Sequence, residues 1–140
     1  MPARLAFLDT NGWIALLNSS DTLHFHAEAA WTDLLKQDFS LVLTDWIVAE
    51  TGNGLARTAL RKQFVQSVEI IRSSKRAKVI SISGSFLERA LELYDSRSDK
   101  TWGLVDCASF MVMQDEEIQE ALTDDRHFKQ AGFNCLLPLL

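Results

Sequence analysis

A chain of 140 residues, 47% apolar and with a net charge of −5, is long enough to bury the core of one domain and too short for two. The acid excess excludes a protein that grips nucleic acid by overall charge and leaves only local basic patches for that task. No apolar run approaches a membrane span and no small-residue cleavage site follows Met1-Pro2-Ala3-Arg4, so the expected location is the cytoplasm.

Leu5 to Leu8 reads as a short buried strand, and Thr10-Asn11-Gly12 opens a helix carrying Trp13, Ile14, Leu16 and Leu17. His24 to Lys36 is a second helix, with Ala27, Ala30, Trp31, Leu34 and Leu35 at helical spacing. Leu41-Val42-Leu43 is the next strand, and Thr44 or Asp45 caps a helix containing Glu50, which Gly52 and Gly54 weaken near its end. Thr58 to Ser73 continues as an amphipathic helix, and Val79 to Ile82 forms a strand. Ser83 or Ser85 starts a helix through about Arg97, Ser85 and Glu88 having capping-box spacing. Leu104 to Met113 is an almost wholly apolar helix, Glu120 to Thr123 a strand, Asp125 to Gln130 a helical turn, and Phe133 to Leu137 a last strand. Alternating β and α elements predict a three-layer α/β/α sandwich around a mainly parallel sheet with right-handed crossovers.

The chemistry lies in four acids beside apolar segments. Asp9 ends Leu5 to Leu8, Glu50 follows Trp46 to Ala49, Asp106 leads the apolar helix, and Asp124 follows Ala121-Leu122-Thr123. Ligands of an open parallel sheet bind beyond the carboxyl ends of the strands, where Asp9 and Asp124 stand. Glu50 shares a helix face with Trp46 and Ile47, and Asp106 shares one with Phe110 and Met113. Gathered about 5 Å apart, each pair of carboxylates would repel by roughly 3 kcal/mol at an effective dielectric near 20. Raised carboxylate pKa values or one or two Mg²⁺ or Mn²⁺ ions would relieve this, and the ions can also orient and activate water against a phosphodiester. The chain has no GxSxG elbow, no HExxH and no phosphate-binding glycine loop.

Each acid also has a local explanation. Asp9 or Asp106 could cap a helix, Asp124 with Asp125 could form an Asx-turn, and Glu50 could pair with Arg57 or Arg61. Asp99 and Asp125 are further candidates read as solvated connector acids, His24 and His26 as surface residues, and His127 as a local cap or turn contact. Cys107 and Cys135 form no CxxC and read as buried free thiols. Arg57, Arg61, Lys62, Arg72, Lys75, Arg76 and Lys78 make the one basic region, a solvated face or a phosphate-binding surface, and the four tryptophans read as core anchors.

Phe7-Leu8-Asp9-Thr10, Thr44-Asp45-Trp46-Ile47-Val48-Ala49-Glu50-Thr51, Leu104-Val105-Asp106-Cys107-Ala108-Ser109-Phe110 and Ala121-Leu122-Thr123-Asp124-Asp125-Arg126-His127-Phe128 together resemble the PIN-domain ribonucleases, in particular the VapC-type toxins of prokaryotic toxin–antitoxin pairs. The resemblance spans the chain and implies a single PIN-like nuclease domain over 1–140. It implies an acidic quartet at Asp9, Glu50, Asp106 and Asp124, buttressed by the hydroxyls of Thr10 and Thr123. It also implies Mg²⁺ or Mn²⁺ dependence, hydrolysis of RNA, a homodimer, and an antitoxin that places a basic side chain on the acids. Gly52-Asn53-Gly54 departs from the regular helix the family would have there. The alternatives are a phosphodiesterase for another nucleic acid, a non-enzymatic RNA- or protein-binding domain using the basic helix, and an aspartyl phosphatase, for which Asn11 stands where a second aspartate is expected.

Overall fold

The computed structural model describes residues 4–139, so the lead-in Met1-Pro2-Ala3 lies outside the described residues. In chain order the elements are β1 (Arg4–Leu8), α1 (Thr10–Leu17), α2 (His24–Lys36), β2 (Phe39–Thr44), α3 (Asp45–Leu55) and α4 (Arg61–Ser73). They continue with β3 (Ala77–Ile80), α5 (Ser85–Ser96), α6 (Leu104–Asp115), β4 (Glu120–Leu122), α7 (Arg126–Gln130) and β5 (Asn134–Cys135). All four strand pairings are parallel, and the sheet runs β3-β2-β1-β4-β5, giving the expected α/β/α sandwich.

That order places the site. From β1 the chain winds outward through β2 and β3, then returns to the other side of β1 with β4 and β5, so the winding reverses between β1 and β4. At such a reversal the connections leaving neighbouring strands diverge and open a crevice at their carboxyl ends. Leu8 pairs with Leu122 in register, so Asp9 and Thr123 leave the sheet side by side.

The strands are short, apolar and covered on both faces, as parallel strands must be: Ala6, Phe7, Leu8, Leu41, Val42, Leu43, Ala121 and Leu122 are buried. Helix α6 buries Cys107 to Phe110, Val112 and Met113, which matches its almost unbroken apolar sequence. Phe110 packs edge-on against Phe128 of α7 at 5.0 Å and against Trp102 at 5.1 Å, tying the connector before α6 to the end of the chain.

Several boundaries differ from the sequence reading. The helix expected from Thr58 begins at Arg61, because the Thr58 hydroxyl donates to Leu55 O and accepts from Leu60 N, closing a turn instead. The last strand shrinks to Asn134–Cys135, since its neighbour β4 has only three residues to pair with. No capping box forms at Ser85 and Glu88: the N-cap is Gly84 at φ +53°, with no side-chain cap. Helix α3 runs through Gly52 and Gly54, and a Cβ on Gly52 would stand 3.0 Å from the Phe64 ring, so this glycine lets α4 pack closely.

Thr44, fully buried at the end of β2, caps α3 by accepting from Ile47 N at 3.1 Å. Thr44→Val keeps the shape and loses the acceptor, so it should cost about 1 kcal/mol in urea unfolding. An unchanged midpoint would remove the cap from this account.

Candidate active site

Asp9 is the N-cap residue of α1, yet its side chain makes no cap. Its Oδ2 accepts instead from the Thr123 hydroxyl across the β1–β4 seam at 2.7 Å, and the residue is only 5% exposed. Burial pushes its pKa up to about 7, against the Thr123 and Thr10 hydrogen bonds that lower it, and the charges of Asp106 and Glu50 push it further up. These three carboxylates therefore lie within electrostatic reach of one another.

Glu50 reaches the same place from α3, and its Oε1 accepts from the Thr10 hydroxyl at 2.7 Å. Thr51 backs this contact from one residue on. Its hydroxyl lies 2.7 Å from Ile47 O, to which it donates, and 3.1 Å from Thr10 Oγ1. The periodicity put Glu50 on the face of α3 that carries Trp46 and Ile47, and the structure leaves it exposed at the rim, in contact with Thr10 of α1. No ion pair joins it to Arg57 or Arg61 among the described residues, and Arg61 donates to Ala56 O.

Asp106, in the first turn of α6, is partly buried. Its Oδ2 accepts from Gly103 N at 3.1 Å and lies 2.8 Å from His127 Nδ1. Burial raises its pKa, the His127 and Gly103 bonds lower it, and the charge of Asp125 raises it. His127 Nε2 is 3.2 Å from the Thr101 hydroxyl, so the ring links Asp106 through Nδ1 to Thr101 through Nε2. The local turn contact expected of His127 is thus joined by a link across 21 residues to an acid of the site.

The two acids after β4 diverge. Thr123 Oγ1, which donates to Asp9, also accepts from Asp125 N at 3.0 Å, turning residue 125 toward the Asp9 side. Asp125 Oδ1 caps α7 by accepting from His127 N at 2.9 Å, and one candidate ligand atom each from Asp106, Asp125 and His127 lies within 4.8 Å of the others. Asp124 lines a cavity with Asn11, Ile14, Asp21, Thr22 and Leu23, and its buried Oδ1 has no hydrogen-bond partner among the described residues. The group with metal-ligand spacing thus contains Asp125 with Asp106 and His127, and not Asp124. The expected Asx-turn exists and belongs to Asp125.

Other sequence candidates fall outside this cluster. Asp99 is held by a bidentate Arg97 contact at 2.9 and 3.0 Å on the surface. His24, expected on the surface, is largely buried and bridges Ala15 O and Glu28 at 2.7 Å each, fastening α2 to α1; His26 is exposed. Cys107 and Cys135 are free, with burial raising both thiol pKa values. Trp13 and Trp102 are buried anchors, whereas Trp31 and Trp46 are only partly buried. No residue of α4 is buried, as a solvated helix face requires.

Asp106, Asp125 and His127 have ligand spacing, and Asp9 and Glu50 lie within electrostatic reach of this group through Asp106 and Asp9. Mutually repelling hard oxygen donors around a carboxyl group whose pKa is raised suit Mg²⁺ or Mn²⁺.

A family model for the PIN domain matches residues 6–134. The chain belongs to the PIN domain family. Among solved structures, this PIN domain is similar to VapC20 of Mycobacterium tuberculosis, described as a sarcin-ricin loop cleaving toxin, with 28% identity, a TM-score of 0.84, and 95% of this chain and 99% of that chain covered. VapBC2 of Rickettsia felis, solved with a DNA fragment from its promoter, matches at 18% identity and a TM-score of 0.64, covering 90% and 92% of the two chains. FitAcB of Neisseria gonorrhoeae matches at 17% and 0.65, covering 93% and 95%. At these identities the latter two speak for the PIN fold alone. A search of curated proteins finds no match. No helix among the described residues is long and apolar enough to cross a membrane.

Proposed function

We propose that this PIN domain is a metal-dependent endoribonuclease, the toxin of a toxin–antitoxin pair. The observation that carries the reading is the convergence of Asp9, Asp106, Asp125 and Glu50 at the β1–β4 crevice, each anchored by a hydroxyl, an imidazole or a backbone N–H. The likeness to a toxin that cleaves the sarcin-ricin loop supports RNA as the substrate class.

Asp9, Asp106 and Asp125 would hold Mg²⁺ or Mn²⁺, with Glu50 at the rim. When bound, such an ion supplies an activated water and charge stabilisation on a phosphodiester. The chain's own contribution is preorganisation. Thr123 fixes the Asp9 carboxylate, His127 and Gly103 N fix that of Asp106, and Thr10 holds one Glu50 oxygen, leaving Oε2 free to take a proton from water at the crevice mouth. Asp124, assigned with the quartet on sequence, lines a neighbouring cavity and is not in the group with metal-ligand spacing. The family reading further implies a cognate antitoxin that covers the acids with a basic side chain, and a homodimer.

The test is cleavage of end-labelled RNA in Mg²⁺, Mn²⁺ or EDTA, with Mn²⁺ affinity measured by calorimetry. Asp125→Asn should weaken Mn²⁺ binding tenfold or more, and Asp124→Asn should leave it within about twofold. The reverse ranking would return Asp124 to the metal site, and metal-independent cleavage would overturn the metal role.

A further inference from the structure

The cations of the chain fall into two sets. Arg76, Lys78, Arg89 and Arg97 are each paired with an acid, Asp38, Glu116, Asp115 and Asp99 in turn. Arg57, Arg61 and Arg126 are exposed and form no ion pair among the described residues. An exposed guanidinium without an acid is free to bind an anion from solution.

These three arginines stand on two flanks of the acids. Glu50, Gly54 and Arg57 follow one another at helical spacing along α3, all three exposed, and Ala56 keeps right-handed helical backbone beyond the last residue of that helix. Seven residues put Arg57 roughly 10 Å past Glu50 on the same side of the helix. Between them Gly54 has no side chain, and a Cβ there would meet only Ile14 Cδ1 of α1 at 3.6 Å, so the strip is bare. Arg61, the first residue of α4, donates from Nη1 to Ala56 O at 3.2 Å, which holds its guanidinium against the same turn. Arg126 stands on the other flank, between Asp125 and His127, two of the three residues with ligand spacing. Helix α3 follows β2 and α7 follows β4, the strands on either side of β1, so the acids lie between these cations.

We propose that Arg57, with Arg61 beside it, and Arg126 are phosphate contacts for the RNA strand being cut, which crosses the acids from the bare strip of α3 at Gly54 to the start of α7. A crevice of carboxylates in a chain of net charge −5 repels a polyanion along its whole length. A metal ion offsets that repulsion only at the acids, so the flanking phosphates need cations of their own. Guanidinium groups meet phosphate oxygens with two parallel N–H donors, and such contacts set the register of a strand without reading its bases. The proposal rests on the ribonuclease reading and assigns affinity, not base choice, to these arginines.

The experiment follows a fluorescein-labelled single-stranded RNA by anisotropy as it binds the full chain in EDTA over a range of NaCl concentrations, with labelled poly-L-glutamate as a separate arm. Arg57→Gln and Arg126→Gln should each weaken RNA binding by about fivefold at low salt. Each should also make the log–log salt slope shallower by about 0.7, the value for one phosphate of a single strand, and the double variant by about 1.4. Arg57→Lys should keep most of the slope. Arg72→Gln, which removes an exposed arginine roughly 16 Å along α4 from Arg61, should leave it unchanged. A slope lowered as much by Arg72→Gln would mean that RNA is held by overall charge, and would overturn the track. Variants that bind RNA like the parent but lose poly-L-glutamate would overturn it too, in favour of an acidic protein partner. RNA cleavage in Mg²⁺ separates the two readings: a raised KM with kcat kept in the two glutamine variants supports the track. Cleavage with KM and slope unchanged removes the track and leaves the nuclease, whereas slopes lowered as expected without cleavage by the parent support the track and remove the nuclease.

Discussion

An Asp9→Asn protein is expected to lose RNA cleavage by a factor on the order of 10²–10³ and, in EDTA, to be more stable than the parent at pH 8. Both effects come from one buried carboxyl group. Its pKa is about 7 in the folded chain against 3.8 for an unperturbed aspartate, with burial the largest cause. Between those values the folded protein keeps a proton that the unfolded chain has released, so stability falls as pH rises through this window and is level above it. At about 1.4 kcal/mol per pH unit the whole window amounts to about 4 kcal/mol for this nearly inaccessible group. Asparagine keeps the Thr123 contact and removes the charge, so the variant should gain on the parent from about pH 4 to about pH 7 and hold that lead at pH 8. Saturating Mg²⁺ should narrow the gap, because an ion that binds only the folded parent adds roughly 2.7 kcal/mol at a hundredfold excess over its Kd. Thermal melts at several pH values, with EDTA and with Mg²⁺, read this directly. Parallel stability profiles for the two proteins in EDTA would mean that Asp9 is not held against its charge.

What the sequence makes legible here is the strand end. A carboxylate directly after an apolar parallel strand has one place to go, and Asp9 goes there; the Thr10 and Thr123 hydroxyls, which the family resemblance implied, meet Glu50 and Asp9. The choice between Asp124 and Asp125 was not legible, because it depends on the Thr123 hydroxyl accepting from the amide of residue 125, a contact fixed only once Thr123 is bound to Asp9 114 residues away. A signal was nevertheless present. Asp125 precedes the short Arg126–Gln130 helix and so holds the capping position, which orients its carboxylate at that helix start. His127 was seen as a turn residue because its spacing to Asp125 is local, whereas its bond to Asp106 spans two elements brought together by the Phe110–Phe128 contact. Periodicity gave the face of Glu50 and not its depth, since helical spacing says which way a side chain points and not how near it lies to the rim.

Gly12→Ala should be the most destabilising conservative change in the chain. A Cβ on Gly12 would stand 2.0 Å from Leu122 O and 2.8 Å from Leu122 C, backbone atoms of a buried strand that cannot rotate away. Relief requires lifting the first turn of α1 off β4, at a cost of about 3 kcal/mol or more, the upper end for overpacking. For a domain of this size that corresponds to a loss of roughly 10 °C in Tm. The same movement acts on the site, because Asp9 precedes this turn and its 2.7 Å bond to Thr123 crosses the same α1–β4 contact. Cleavage should therefore fall even at temperatures where the variant remains folded. Gly54→Ala supplies the contrast. Its Cβ would meet only Ile14 Cδ1 at 3.6 Å, an ordinary contact, and alanine's better helix propensity should make the change neutral or stabilising by up to about 1 kcal/mol. Urea unfolding of the two variants beside the parent tests the pair. If Gly12→Ala unfolds within a few tenths of a molar of the parent, the close approach of α1 to β4 is not what holds Asp9 against Thr123.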